Sequence, residues 1–187
     1  MNDNDWFIAD SAVSALFRFK AKDKLRKVYR NKKLHSTLRE SALEFLGKMG
    51  NKKILEEAKD EYSVDMRKIV VRYATKWNFT DLLYYIALND KNSDIVSQAV
   101  KGLIKNYNSK QLLELASKGI EFTQISDYFR KEKNKKALRH LYRERPNGRY
   151  SLLIDFIELE DDEGVKMALD SEREDLRNIA ENYFENK

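Results

Sequence analysis

Most of the side chains in this sequence that can do chemistry are cations. Of 187 residues, 36 are Lys or Arg, 31 are Asp or Glu, and only two are His. His35 and His140 have no metal-ligand spacing between or around them. There is no cysteine, which excludes a disulfide framework, a thiolate metal site and a cysteine nucleophile. No glycine-rich phosphate loop, Ser-x-x-Lys pair or nucleophile elbow occurs. The acidic run Glu158–Glu163 lacks the alternating oxygen ligands and turn glycine of a calcium loop, and reads as a helix end with its following loop. The expectation is no enzyme activity, no metal, no cofactor and no small-molecule substrate.

The cations, by contrast, fall into a pattern. Lys48, Lys76 and Lys105 are spaced by 28 and 29 residues, and so are Glu44, Arg72 and Lys101. Counting on from Ile125 adds Lys131 and Lys135. Lys136, Arg139, His140 and Arg143 then follow at i, i+3, i+4, i+7, which is one stripe of a helix. The reading is a basic column of Lys48, Arg72, Lys76, Lys101, Lys105, Lys131, Lys135, Arg139 and Arg143, suited to an acidic protein segment or a phosphate backbone. The bland alternative is a solvated face, because Lys and Arg stems commonly cover helix surfaces. A second stripe, Lys22, Arg26, Arg30 and Lys33, reads as such a face.

A column requires helices that repeat in phase. Leu38, Met66, Ile95 and Leu176 each open a stretch with Ala42, Val70, Ala99 and Ala180 four residues on, and Leu46, Ala74, Leu103 and Phe184 eight on. Intervals of four and eight mark one helix face, and the small middle residue admits a close neighbour. A helix precedes each of these, phased by Ala58, Ala87 and Ala116 at intervals of 29, and by Ala168 near the end. Polar turns join the pairs at Asp60–Ser63, Asp90–Ser93 and Asp170–Glu172, with residue types that favour turns and N-caps. Neither helix of a pair can bury its apolar stripe alone, so stacking is required.

Composition agrees. Hydrophobic residues make up 42% and charged residues 36%, a surface-rich balance, and one proline and six glycines leave few helix breakers. The formal net charge is +5 and pI ≈ 9.1, with an uneven distribution. Residues 20–33 hold eight Lys/Arg against one acid, and residues 130–149 nine against two. Residues 155–187 hold twelve acids against four Lys/Arg. The start, Met1-Asn2-Asp3-Asn4-Asp5, lacks the basic and apolar regions of a secretory signal, and no stretch is apolar enough to span a membrane. The expected setting is cytoplasmic, with no membrane partner.

The phrases Ala87-Leu88-Asn89-Asp90 running on to Ala99, and Ala168-Leu169-Asp170 running on to Ala180, resemble HEAT-like repeats. The family's arginine is matched at Arg39, Arg67 and Arg177, while position 96 is valine. The unit is shorter than the ~40–47 residues of long HEAT repeats and is similar to the compact bacterial and archaeal variety. The likeness covers residues 36–118 and 165–187, and is degenerate over 1–35 and 119–164. It implies one all-α domain, 1–187, forming a right-handed α-solenoid of about six stacked helical hairpins. It further implies a scaffold, adaptor or regulator whose concave face holds an acidic protein partner. Nucleic-acid binding is the alternative, including a DNA-alkylation-repair glycosylase-like role, for which no Asp stands among the concave columns. Trp77, just past its periodic face, is expected to pack against the next hairpin rather than to anchor a partner.

Overall fold

The computed structural model describes residues 3–187, with side chains from Phe7 onward; Met1 and Asn2 of the polar start lie outside the described residues. Among the described residues there are thirteen α-helices, one short 3₁₀ turn and no strand. The helices are α1 (Asp3–Arg18), α2 (Lys22–Arg30), α3 (Ser36–Lys48), α4 (Lys52–Ala58), α5 (Val64–Lys76), α6 (Thr80–Asn89) and α7 (Ser93–Lys105). They continue as α8 (Ser109–Ser117), α9 (Phe122–Lys131), α10 (Lys135–Glu144), α11 (Arg149–Glu158), α12 (Asp162–Leu169) and α13 (Glu174–Glu185). The chain falls into two compact units, residues 1–107 and 108–187. None of the described helices is long and apolar enough to cross a membrane.

The helix boundaries follow from local chemistry. Ser63, Asn92, Asn108 and Asn134 each accept a hydrogen bond from a backbone N–H three residues on, which caps α5, α7, α8 and α10. His35 caps α3 through its ring Nδ1, which accepts from the Thr37 N–H two residues on at 3.4 Å. The opposite ends repeat as well. The chain leaves α1, α3, α5, α7, α9 and α11 through Lys20, Gly50, Asn78, Tyr107, Lys133 and Glu160, all at positive φ. At five of these ends the next backbone N–H returns to a carbonyl five residues earlier: Ala21 to Leu16, Asn51 to Leu46, Phe79 to Ala74, Asn134 to Phe129, Asp161 to Phe156. This closes the helix and turns the chain sharply into the following one.

In the first unit α1, α3, α5 and α7 pack side by side, each with the short helix that precedes or follows it. The phased residues are its core. Leu38, Ala42, Leu46, Met66, Val70, Ala74, Ile95, Ala99 and Leu103 are buried, and so are Ala58 and Ala87 of the intervening helices. Each buried Leu or Ile contributes about 2 kcal/mol. Two glycines let α3 and α5, and α5 and α7, approach closely. A Cβ on Gly47 would lie 2.3 Å from the Tyr73 ring, and one on Gly102 would lie 2.4 Å from the Thr75 hydroxyl. In the second unit α8 packs on α9 and α10, and α11 on α12 and α13. Its core is Leu115, Ile125, Phe129, Leu138, Leu141, Leu153, Phe156, Val165, Leu176 and Ala180.

The arginines of the repeated phrase hold the turns. Arg67 donates two bonds to the Asp90 carboxylate, at 2.7 and 3.2 Å, and a third to the Glu61 carbonyl. Arg39 bonds the Tyr29 carbonyl at 2.8 Å and the Glu61 carboxylate at 2.7 Å. Arg67 therefore ties the turn before its own helix to the turn of the next hairpin, and Arg39 ties the end of α2 to the turn before α5. Arg177 bonds the Ser171 carbonyl at 2.6 Å. All three turns expected from the sequence lie between helices, at residues 59–63, 90–92 and 170–173.

Candidate basic groove

Five of the cations of the first unit line one cleft of about 630 Å³ between α5 and α7. Lys68, Arg72 and Lys76 come from α5 at intervals of four, and Lys101 and Lys105 from α7. Val71, Thr75 and Gly102 form the floor, where the missing Cβ of Gly102 brings the two helices together. Asn106 closes one end by donating to the Thr75 carbonyl at 3.4 Å. Among the described residues, no carboxylate lines this cleft.

The cations differ in how far they are already satisfied. Arg72 reaches back to Glu44 at 3.1 Å, and Lys68 reaches Asp65 at 3.7 Å. Lys76 stands over the Trp77 ring at 5.4 Å. Lys101 and Lys105 are exposed and meet no carboxylate among the described residues. Like charges one helical turn apart, about 6 Å, repel by roughly 0.7 kcal/mol in water. Lys76, Lys101 and Lys105, with no carboxylate in reach among the described residues, thus form with Arg72 and Lys68 a locus that an anion relieves.

Lys48 does not join them. Its ammonium lies over the Phe45 and Phe17 rings, at 5.2 and 5.9 Å, and 3.8 Å from Glu44. The neighbouring cleft between α3 and α5, about 360 Å³, is lined by Glu40, Glu44 and Asp65 as well as Lys68 and Arg72. Glu44 also accepts from the Tyr73 hydroxyl at 2.6 Å, and burial together with this carboxylate pushes that phenol up to about 12. The predicted column is therefore interrupted: charge is mixed between α3 and α5 and wholly basic between α5 and α7.

The predicted members from the second unit are differently placed. Gly50, Asn78, Tyr107 and Lys133 are equivalent left-handed helix ends, and counting back from Lys133 puts the opening position of the repeat at Glu121, just before α9, not at Ile125. In this corrected register Lys131 corresponds to Lys76 and Lys105, whereas Asp127 takes the place of Arg72 and Lys101. Lys135 begins α10 and donates to the Glu160 carbonyl at 3.1 Å. Arg139 is held by Asp161, with one bond at 2.8 Å, and by Glu163. Asp161 is 2% exposed, so this pair is a structural tie. The sequence reading missed it, because Asp161 is hidden within an acidic run. Arg143 and Lys131 are exposed.

Two further expectations change in detail. Trp77 packs, but against the preceding hairpin: its indole N–H donates to the Gly47 carbonyl at 2.8 Å and its ring covers Gly50. The stripe on α2 is partly satisfied, with Arg30 bound to Glu57 at 2.7 Å and Arg26 to Asp23 at 2.6 Å.

Comparison of the chain with protein-family models, curated proteins and solved structures yields no match.

Proposed function

We propose that this chain is a non-enzymatic binding scaffold or regulator, a right-handed α-solenoid of HEAT-like hairpins that holds an acidic segment of a protein partner in the groove between α5 and α7. The observation that carries the reading is the groove itself: five cations over an apolar floor, with no carboxylate among its lining residues. The HEAT-like assignment draws support from the recurring left-handed helix ends and from arginines 39 and 67, which repeat one clamp at consecutive turns. A partner would gain long-range steering from the lysines and contact area from Val71, Thr75 and the lysine stems.

Lys101→Glu combined with Lys105→Glu provides the test, because both side chains are exposed and neither holds the fold together. Fluorescence anisotropy with labelled poly-glutamate at low salt should show at least tenfold weaker binding by the double variant. Equal binding by the two proteins would sink the groove assignment. Nucleic acid is the competing ligand for the same lysines, and its affinity would fall linearly with salt on a log–log plot. A gel shift with duplex DNA that outcompetes poly-glutamate would transfer the groove to that reading.

A further inference from the structure

The chain carries an acidic helix of its own, α13. α13 packs against α11 and α12. Glu174, Asn178, Glu181 and Glu185 are all exposed and follow one another at intervals of four, three and four, which is one face of a helix. Pairing on this helix goes to Asp175, held by Arg173, and the three glutamates meet no cation among the described residues. The two units are charged accordingly: residues 1–107 carry 21 Lys/Arg and 14 Asp/Glu, and residues 108–187 carry 15 and 17.

We infer that α13 of a second copy docks in the α5/α7 groove, so that the chain associates head to tail. This rests on the groove being a site for acidic polypeptide. The spacings agree. At 1.5 Å per residue, Glu181 and Glu185 are about 6 Å apart along their helix, as are Lys101 and Lys105 on α7, and Arg72 and Lys76 on α5. Glu174 lies about 10 Å from Glu181, against about 12 Å from Lys68 to Lys76. A groove between two closely packed helices admits a single ridge of side chains, and the α13 stripe is one ridge. Donor and acceptor are different surfaces, so the contact is heterologous and generates a ring or an open chain of copies. One helix on one groove buries less than a standard interface, so the association is weak and sensitive to salt.

Sedimentation velocity of the full chain at about 50 and about 500 mM salt tests this. At low salt the weight-average mass should climb with protein concentration above the 22.1 kDa of one chain, and at high salt it should return to that value. Glu181→Lys with Glu185→Lys should abolish the rise, and so should Lys101→Glu with Lys105→Glu. The protein carrying all four reversals should associate again, an outcome that damage to the fold cannot produce. Far-ultraviolet circular dichroism confirms that each variant is folded. A monomer at every salt concentration that still binds poly-glutamate would overturn the self-association and leave the groove standing. A monomer that also fails to bind poly-glutamate would remove both. Association that survives the α13 reversals would overturn the role of α13.

Discussion

Arg130 gathers three carboxylates: Asp127 at 3.2 Å, Asp155 at 3.3 Å and Glu158 at 3.0 Å. One guanidinium cannot fully compensate three acids, and Asp155 is the one removed from water. Burial is the main cause that pushes its carboxyl up to about 6, with Arg130 opposing and Glu158 and Asp127 adding to the rise. The sign of the resulting pH dependence follows. Between the ordinary value near 3.8 and about 6, the folded chain holds a proton that the unfolded chain has released. The stability from this group is therefore complete below 3.8 and is lost as pH rises through 6. We expect urea unfolding to show a loss of about 2 kcal/mol from this group between pH 4 and pH 7. Asp155→Asn should flatten that decline. An unchanged slope in the variant would show that Asp155 is not the titrating group.

At the scale of the element, glycines fix how closely neighbouring helices approach. Replacing glycine by alanine inside a helix normally gains about 1 kcal/mol. At Gly47 the sign reverses, because the new Cβ would sit 2.3 Å from one Tyr73 ring carbon and 2.7 Å from another. The ring cannot swing away: Tyr73 is buried and its hydroxyl is bound to Glu44 at 2.6 Å. Gly47→Ala should therefore destabilise the first unit by about 2 kcal/mol net, the cost of overpacking exceeding the helix gain. Thermal melting of the variant provides the measurement, and a raised melting temperature would contradict the packing described. The helix ends show a different economy. Only Gly50 supplies a glycine at the repeated left-handed position, while Lys20, Asn78, Tyr107, Lys133 and Glu160 adopt it at a cost of roughly 1 kcal/mol each. At four of these five ends the returning backbone bonds, to Leu16, Ala74, Phe129 and Phe156, offset that cost.

For the whole molecule, the division at Tyr107 has a direct consequence. Residues 1–107 contain their own buried core and both walls of the basic groove. A chain ending at Tyr107 is expected to melt cooperatively by circular dichroism and to bind poly-glutamate less tightly as salt rises. A non-cooperative melt would show that the first unit depends on the second for its stability.

The phase of the apolar residues was legible in the sequence because a helix repeats its faces with a fixed period. Leu38, Ala42 and Leu46, with their counterparts in α5 and α7, are buried as their spacing required. Lys76, Lys101 and Lys105 of the groove were legible for the same reason, since they recur at fixed positions of that period, whereas Lys68 was not picked out by it. Which cations stay available was not legible, because it depends on acids that spacing does not bring near. Glu44 holds Arg72 and Lys48, and a nearly buried Asp161 holds Arg139. The register of α9 was hidden too, since its helix end is marked by Lys133, a residue type that carries no turn signal. The sequence alone determined periodicity, burial and overall charge, all properties that a helix imposes locally. Only the tertiary structure decided the pairing of charges and the helix ends, because both depend on groups that meet across helices or on a backbone conformation that side-chain type does not dictate.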